Sequence, residues 1–189
     1  MDVRAFRGWR YHPRRGRDVG AFLAPPYDVL TAGDKQALLA GCKNNIVAVD
    51  LPHVPPENAG PDDVYARAAA LLKRWQDGGL IVRDETPCIY VYEQTCTWAG
   101  CARTRRALIC AVRATGLGRD VIPHEHTFPG PIADRLKLTE HTRMQLSPIF
   151  GFHNDPGGQV RGLLDPFAAA AVPDAEGTLN NVVEKLWAV

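Results

Sequence analysis

The sequence predicts an α/β chain of the α+β kind, in which helices flank a mixed sheet with a central antiparallel hairpin. Cys88–Thr95 and Arg103–Ala114 are rich in β-forming residues and are joined by a tight turn near Trp98-Ala99-Gly100. A helical pattern precedes them, after Pro61 and before Gly78. Its apolar residues recur at the spacing of one helix face: Val64, Ala68, Leu71, Leu72 and Trp75.

Short strands and a capped helix are predicted near the N-terminus. Val3–Trp9 alternates charged and apolar residues, as a half-buried strand does. Ala24-Pro25-Pro26-Tyr27-Asp28 must be extended or turned, because prolines fix φ and restrict the residue before them. Thr31 and Asp34 have the spacing of a helix cap and its partner, which predicts a helix to about Cys42.

Three further apolar runs predict strands, and a proline marks one more helix. The runs are Ile46–Leu51, Leu80–Arg83 and Leu146–His153. Pro131 suits the first position of a helix that we expect to reach about Gln145.

The last run, Val182–Val189, resembles a strand that has barely started. A chain that stops there would expose an unpaired apolar edge. We therefore expect residues 1–189 to be a single domain that forms the N-terminal portion of a longer protein.

Composition excludes several functional classes. Hydrophobic residues make up 46% of the chain and charged residues 23%, with a net charge of +1, so the overall charge gives no case for a nucleic-acid partner. The arginines near the N-terminus could bind phosphate groups or nucleic acid, but we expect them to form the solvated face of an edge strand. No apolar run approaches the length that spans a bilayer, and no secretory signal is present. Five cysteines, an odd number, do not form a typical disulfide framework. We expect a cytoplasmic protein without a membrane partner and with its cysteines as thiols.

Ordered motifs along nearly the whole chain resemble those of one family. They are Ala24-Pro25-Pro26-Tyr27-Asp28-Val29, Trp75 with Gly78–Asp84, Tyr90-Val91-Tyr92-Glu93-Gln94, His124-Glu125-His126-Thr127, Pro129-Gly130-Pro131, Asp134-Arg135 and Leu146-Ser147-Pro148-Ile149-Phe150. The chain is similar in these segments to the family catalogued as domain of unknown function 1015.

The resemblance implies a ParB/sulfiredoxin-like fold, which nucleotide-binding partition proteins, sulfiredoxins and free serine kinases share. The leading implied activity is a phosphotransferase, a kinase acting on a small hydroxylated metabolite such as serine. Mg²⁺ and a phosphate donor, either a nucleotide or pyrophosphate, are the implied cofactors. The alternative is a nucleotide-binding regulatory or partition-like module without metabolite kinase activity. Longer family members carry an Asp-Gly-His-His-Arg segment that this chain lacks, which predicts an incomplete protein with little activity of its own.

The segment His124-Glu125-His126-Thr127 carries the most reactive side chains. Extended backbone would place both histidines on one side and Glu125 on the other. Two imidazoles permit one bound metal ion, but the sequence names no third ligand, so we assign no metal site. A general base on a hydroxyl is equally compatible. We expect catalytic roles for His124, Glu125 and Thr127, and a binding role for His126; the alternative is a polar surface loop.

Four more residues are candidates for binding substrate or phosphate. Arg135 and Arg143 would add positive charge near the start of the helix after Pro131, where the helix dipole favours an anion. Asp28, held with Tyr27 on the proline-rich turn, would orient a substrate or Mg²⁺. The alternative for Asp28 is a plain turn in which it caps backbone donors.

Glu93 is a charged residue on a predicted central strand. Because an unpaired charge is rarely left in a buried strand, we expect Glu93 to pair with Arg105 or Arg106 across the hairpin rather than to act in catalysis.

Overall fold

The computed structural model describes residues 2–119, 121–124 and 126–189 and has an α+β architecture, as the sequence predicts. The helices are α1 (Ala32–Gly41), α2 (Val47–Asp50), α3 (Asp62–Asp77), α4 (Pro129–Thr142) and α5 (Gln159–Ala170). The strands are β1 (Val3–Arg4), β2 (Trp9–Tyr11), β3 (Ile81–Arg83), β4 (Tyr90–Trp98), β5 (Cys101–Ile109), β6 (Ala111–Val112), β7 (Ala175–Leu179) and β8 (Val182–Ala188). Two compact units divide the chain: unit 1 comprises residues 21–82 and 113–147, and unit 2 comprises residues 2–20, 83–112 and 148–189.

Helix α1 in unit 1 has the predicted start and end. The Thr31 hydroxyl accepts the backbone N–H of Asp34 at 3.2 Å, and the Asp34 carboxylate accepts the N–H of Thr31 at 2.9 Å. These reciprocal bonds satisfy donors that the first turn of a helix leaves free. The helix stops at Gly41, with Cys42 as its C-terminal cap.

The strand predicted for Ile46–Leu51 is wrong, because Val47–Asp50 forms the single helical turn α2. The buried side chain of Asn45 sets this turn. Its Oδ1 accepts the first helical N–H at 3.0 Å, while its Nδ2 donates to the carbonyl oxygens of Ala21 and Leu23 at 3.0 and 2.6 Å. A short apolar run is buried equally well as strand or helix, and here the asparagine decides the outcome.

Helix α3 confirms the predicted apolar face and adds a residue to it. Its buried residues are Tyr65, Ala68, Leu72 and Trp75, whereas Val64 and Leu71 are half-buried. Within unit 1 this helix packs against α4 and α2.

Unit 2 is built on a four-stranded sheet in the order β5-β4-β8-β7. The predicted hairpin is confirmed, since Tyr90 pairs with Ile109 and Trp98 with Cys101. Its turn has positive φ at Ala99 (49°) and Gly100 (76°), the conformation that matches the twist of two antiparallel strands. Every ladder of this sheet is antiparallel, in contrast to the mixed sheet expected.

The C-terminal run lies inside this sheet. Strand β8 pairs with β4 on one side and with β7 on the other, so the exposed edge expected for Val182–Val189 is not formed. The buried Trp187 donates from its indole nitrogen to the carbonyl oxygen of Ala171 at 3.0 Å, and its ring contacts Phe167 of α5. The strand predicted for Leu146–His153 is wrong, because that segment contains no regular structure.

The charge on β4 is paired as the sequence predicts. A carboxylate oxygen of Glu93 lies 2.6 Å from a guanidinium nitrogen of Arg106 on β5. The same guanidinium reaches Asp165 of α5 at 2.5 Å. Glu93 is buried, so this pairing removes the cost of an isolated charge.

A second polar cluster in unit 2 joins the N-terminal segment to the start of β4. The Tyr90 hydroxyl donates to the Asp84 carboxylate at 2.5 Å and accepts the N–H of Gly8 at 2.7 Å. The Arg10 guanidinium donates to both oxygens of Asp84 at 2.6 to 3.1 Å. Both oxygens of Asp84 and the hydroxyl of Tyr90 are thus hydrogen-bonded, which indicates a structural role.

None of the helices in the described part of the chain is long and apolar enough to cross a membrane. All five cysteines are free thiols.

Candidate functional site

The helix that follows the histidine-containing segment begins earlier than predicted. Helix α4 starts at Pro129, so Pro129 and Pro131 occupy two of its first three positions. Proline has no N–H, so Gly130 is the one residue of these three that carries a donor. The anion-binding capacity expected of this helix start is correspondingly smaller.

Gly130 is required by a close approach of the backbone. A Cβ at this position would lie 1.8 Å from the carbonyl oxygen of Glu57 and 3.2 Å from Oδ1 of Asn58. The loop around Glu57 therefore lies directly against the first turn of α4, and no residue larger than glycine fits there.

The predicted catalytic segment lies in solvent where it is described. The side chains of His124, His126 and Thr127 are exposed, and Glu125 lies outside the described residues. Among described residues, no group of three histidine, cysteine, aspartate or glutamate side chains could hold a metal ion. The catalytic and binding roles expected for this segment stay predictions.

Further along α4, Asp134 is a fully buried carboxylate whose two oxygens are both hydrogen-bonded. Oδ1 accepts the Tyr65 hydroxyl at 2.5 Å, and Oδ2 accepts Nε and Nη2 of Arg135 at 2.9 and 2.6 Å. The N–H of Gly60 donates to the Tyr65 hydroxyl at 2.8 Å. Burial, followed by the bond to Asp134, raises the pKa of Tyr65 to about 12. Asp134 therefore ties α4 to α3.

The remaining nitrogen of Arg135 reaches a second carboxylate, Asp50 at the end of α2. Nη1 donates to the Asp50 carbonyl oxygen at 2.7 Å and to Oδ1 at 3.2 Å. The Ser147 hydroxyl donates to the same Oδ1 at 2.8 Å. Burial raises the pKa of Asp50, against the opposing effects of the Ser147 hydrogen bond and the Arg135 charge. This carboxylate is thus held on one oxygen and costly to ionise.

The ring of Tyr27 covers the Arg135 guanidinium, whose central carbon lies 3.9 Å from the ring centroid. This geometry is a close cation–π contact. Burial is also the main cause that raises the pKa of Tyr27. Two segments that carried the sequence resemblance therefore meet at one guanidinium, namely the Pro-Pro-Tyr-Asp turn and the Asp134-Arg135 pair. A third such segment, through Ser147, joins the cluster at Asp50.

The model of the family described as "Protein of unknown function (DUF1015)" matches residues 3–189. The chain belongs to the DUF1015 family. No curated protein and no solved structure matches it.

In this DUF1015 chain the geometry alters the expected role of Arg135. All three nitrogens of its guanidinium are bonded to Asp134 or Asp50, and its face is covered by Tyr27. A phosphate would have to displace these partners. The arrangement instead makes Arg135 a positioning residue that orients two carboxylates and one aromatic ring.

Two other predicted binding residues, Arg143 and Asp28, do not join this cluster. Arg143 lies at the far end of α4, and Asp28 lies on the surface. Arg143 is exposed and caps the C-terminus of α4 with left-handed backbone (φ 55°), about 20 Å along the helix from Pro129 at 1.5 Å per residue. Arg143 therefore lies at the opposite end of α4 from the predicted phosphate site and is too far along the helix to contact a phosphate bound there. Asp28 is exposed on the short 3-10 turn Tyr27–Val29.

Sequence reasoning missed the site roles of Asp50, Tyr65, Asp134 and Ser147. Asp134 and Ser147 belong to two of the family motifs, Asp134-Arg135 and Leu146–Phe150. Their place in these motifs could have identified them as candidate site residues. Asp50 gave a weaker signal, as the one charged residue in the apolar run Ile46–Leu51. A charged residue in a run that is otherwise buried needs a partner, and that need identifies it.

Proposed function

We propose that this protein is a phosphotransferase that transfers a phosphoryl group to the hydroxyl of a small metabolite such as serine. The proposal includes a relationship to the ParB/sulfiredoxin-type fold and a nucleotide or pyrophosphate as phosphate donor. It also places the protein in the cytoplasm, where such donors and acceptors are dissolved.

The observation that carries the proposal is that segments from three family motifs form one cluster around Arg135 and Asp50. Tyr27, Asp50 and Asp134 surround the Arg135 guanidinium, and Ser147 completes the cluster through Asp50. Phosphoryl transfer depends chiefly on positioning and electrostatics, so a rigid, fully bonded cluster beside one partly accessible carboxylate suits this reaction class.

The same helix connects this cluster to the histidine-containing segment. Arg135 lies six positions after Pro129, about 9 Å along α4, and Thr127 comes two residues before that proline. In the proposal His124, Glu125 and Thr127 serve the reacting end, while His126, Tyr27 and Asp28 contact the substrate.

The described residues do not fit a magnesium site of their own. Both oxygens of Asp134 are consumed by Tyr65 and Arg135, and a bound cation beside the Arg135 charge would be repelled. Mg²⁺ in proteins is commonly held by one or two carboxylates together with substrate phosphates. In the proposal the ion arrives with the phosphate donor, and no step of the argument depends on it.

The test is a phosphoryl-transfer assay on the 189-residue chain, and on any longer reading frame that contains it. Nucleoside triphosphate, nucleoside diphosphate and pyrophosphate are compared as donors, with serine and other small alcohols as acceptors. We expect phosphorylated acceptor with at least one of these donors.

The role of Glu125 is tested in the active form by Glu125→Gln, which should lower turnover on the order of a hundredfold if Glu125 is a general base. Glu140→Gln is the matched control, since Glu140 is exposed on α4. Absence of transfer with every donor would overturn the kinase proposal. Nucleotide binding without transfer would instead favour the regulatory or partition-like module.

A further inference from the structure

Two carboxylates share the Arg135 guanidinium, and they differ in how many of their oxygens the described residues occupy. Asp134 is 0% exposed and uses both oxygens, whereas the Asp50 side chain is 15% exposed. The hydrogen bonds to the Asp50 side chain all end on Oδ1, and no described residue donates to Oδ2. Asp50 therefore presents a free acceptor atom at the edge of an otherwise saturated cluster.

We propose that Asp50 is the carboxylate that accepts the proton of the acceptor hydroxyl, with Ser147 and Arg135 holding it in position. This inference rests on the proposed function and assigns its general base to a residue that sequence patterns did not identify. Oδ2 is the reacting atom, because the bonds from Ser147 and Arg135 immobilise Oδ1 and the backbone carbonyl.

The step balances as an ordinary phosphoryl transfer. The substrate oxygen forms a bond to the terminal phosphorus of the nucleotide or pyrophosphate donor, while the bond from that phosphorus to the leaving phosphate oxygen breaks. The substrate proton moves to Oδ2 of Asp50, and it is released to water after the product leaves. No oxidant or reductant is needed.

The surroundings of Asp50 suit a base that works near neutral pH. The charged or titratable groups facing it are Arg135 and Asp134 on α4 and Tyr27 on the proline-rich turn, and the hydroxyl of Ser147 completes the set. One guanidinium charge is divided between two carboxylates, so Asp50 is only partly neutralised. Burial raises its pKa, which brings its basicity closer to that needed for proton abstraction from an alcohol.

Asp50→Asn, made in the form of the protein that is active in the transfer assay, is the central test. The amide keeps an acceptor oxygen for Ser147 and Arg135 but cannot take a proton, so turnover should fall on the order of a hundredfold or more while KM changes little. Asp63→Asn is the matched control, because Asp63 is exposed and, among the described residues, pairs with the exposed Arg67 in its own helix. Circular dichroism should show that both variants remain folded.

The pH profile separates a base from a structural residue. Turnover of the wild type should rise through a pKa above the ordinary aspartate value of about 4. Ser147→Ala removes a hydrogen bond that favours the ionised carboxylate, so the same rise should move to higher pH. This variant keeps the test decisive even if Asp50→Asn fails to fold.

The outcomes distinguish this inference from the proposed function. Active wild type with a folded, fully active Asp50→Asn variant would overturn the assignment of Asp50 and leave the kinase proposal standing. If the pH dependence of turnover is unchanged in Ser147→Ala but disappears in Glu125→Gln, the general base is Glu125 rather than Asp50. Absence of transfer by the wild type with every donor would overturn the proposed function, and the assignment of Asp50 with it.

Discussion

Each of the two units contains the same arrangement of a glycine, a tyrosine, an aspartate and an arginine. The members are Gly60, Tyr65, Asp134 and Arg135 in unit 1, and Gly8, Tyr90, Asp84 and Arg10 in unit 2. In both, the tyrosine hydroxyl donates to the aspartate at 2.5 Å and accepts a glycine N–H at 2.7 to 2.8 Å. The arginine then donates two or more bonds to the same carboxylate.

The two clusters differ in the hydrogen-bond partners of the arginine guanidinium. The described hydrogen bonds of the Arg10 guanidinium all go to Asp84, which closes the cluster of unit 2. Arg135 has a further nitrogen that reaches Asp50, and its face contacts Tyr27. The shared part contributes to stability, since it provides hydrogen-bond donors to both oxygens of the carboxylate. The extension in unit 1 is the part that leaves an acceptor atom open for chemistry.

The largest expected effect comes from removing each arginine. Arg135→Ala should lower the free energy of unfolding by about 3–5 kcal/mol, because it strips the charge partner from a fully buried carboxylate and from Asp50. Arg10→Ala should cost less, because it affects one carboxylate, Asp84, which is 12% exposed. Urea unfolding at neutral pH measures the loss of unfolding free energy in each variant, and hydrogen exchange shows which unit is destabilised.

Arg67→Ala is the control for this comparison, since Arg67 and Asp63 form an exposed pair within α3 that should contribute well under about 1 kcal/mol. A cost for Arg10→Ala equal to or larger than that for Arg135→Ala would contradict the distinction between the closed and the extended cluster.

The two tyrosines should behave alike, which tests the shared part of the clusters. Tyr65→Phe leaves Oδ1 of the buried Asp134 and the N–H of Gly60 without that partner, at a cost of about 1–3 kcal/mol. Tyr90→Phe removes the partner of the Gly8 N–H and one of two donors to Oδ2 of Asp84, so its cost should lie in the lower part of the same range of about 1–3 kcal/mol. Burial, followed by the aspartate hydrogen bond, raises the pKa of each from 10 to about 12. Because the folded pKa lies above the unfolded one, this stabilisation is complete below pH of about 10 and is lost as pH rises to about 12.

Urea unfolding as a function of pH, with phenolate absorbance to follow ionisation, measures this loss. Each phenylalanine variant should lose stability less steeply than wild type over the same pH range. Equal slopes for wild type and both variants would show that neither hydroxyl is linked to folding.

Features decided by neighbouring residues could be predicted from the sequence. The capping box of Thr31 and Asp34 spans four residues, and its two hydrogen bonds follow from spacing alone. The hairpin of β4 and β5 and the apolar face of α3 are likewise local patterns whose period matches the structure. The pairing of Glu93 followed from the cost of a buried charge and from the position of the turn.

Features that depend on distant segments could not be predicted in the same way. Asp50 meets Ser147 across 97 positions and Arg135 across 85, so no window of sequence contains the cluster. Strand β8 pairs with β4, which lies about 90 positions earlier in the chain. This distant pairing is the reason why the run Val182–Val189 was expected to expose an unpaired strand edge. Periodicity also cannot separate a helix from a strand in a run as short as Ile46–Leu51.

The smallest expected effect lies in the hairpin turn of unit 2, and it sharpens the contrast between local and distant determinants. Ala99 has a φ of 49° and Gly100 a φ of 76°, so both central residues adopt left-handed backbone. A side chain other than asparagine or glycine is strained there, and Asn-Gly is the favoured pair for this turn. Ala99→Asn should therefore raise the free energy of unfolding by about 0.5–1 kcal/mol.

Gly100→Ala is the paired substitution and should have the opposite sign, since it introduces a Cβ at a residue with positive φ. The urea midpoints of the two variants, compared with wild type, provide the measurement. Because a local turn is governed by its own two residues, these shifts should persist unchanged in a Tyr90→Phe background. A stabilisation that disappears in that background would mean that the turn and the Tyr90 cluster are coupled, and that the hairpin is not decided locally.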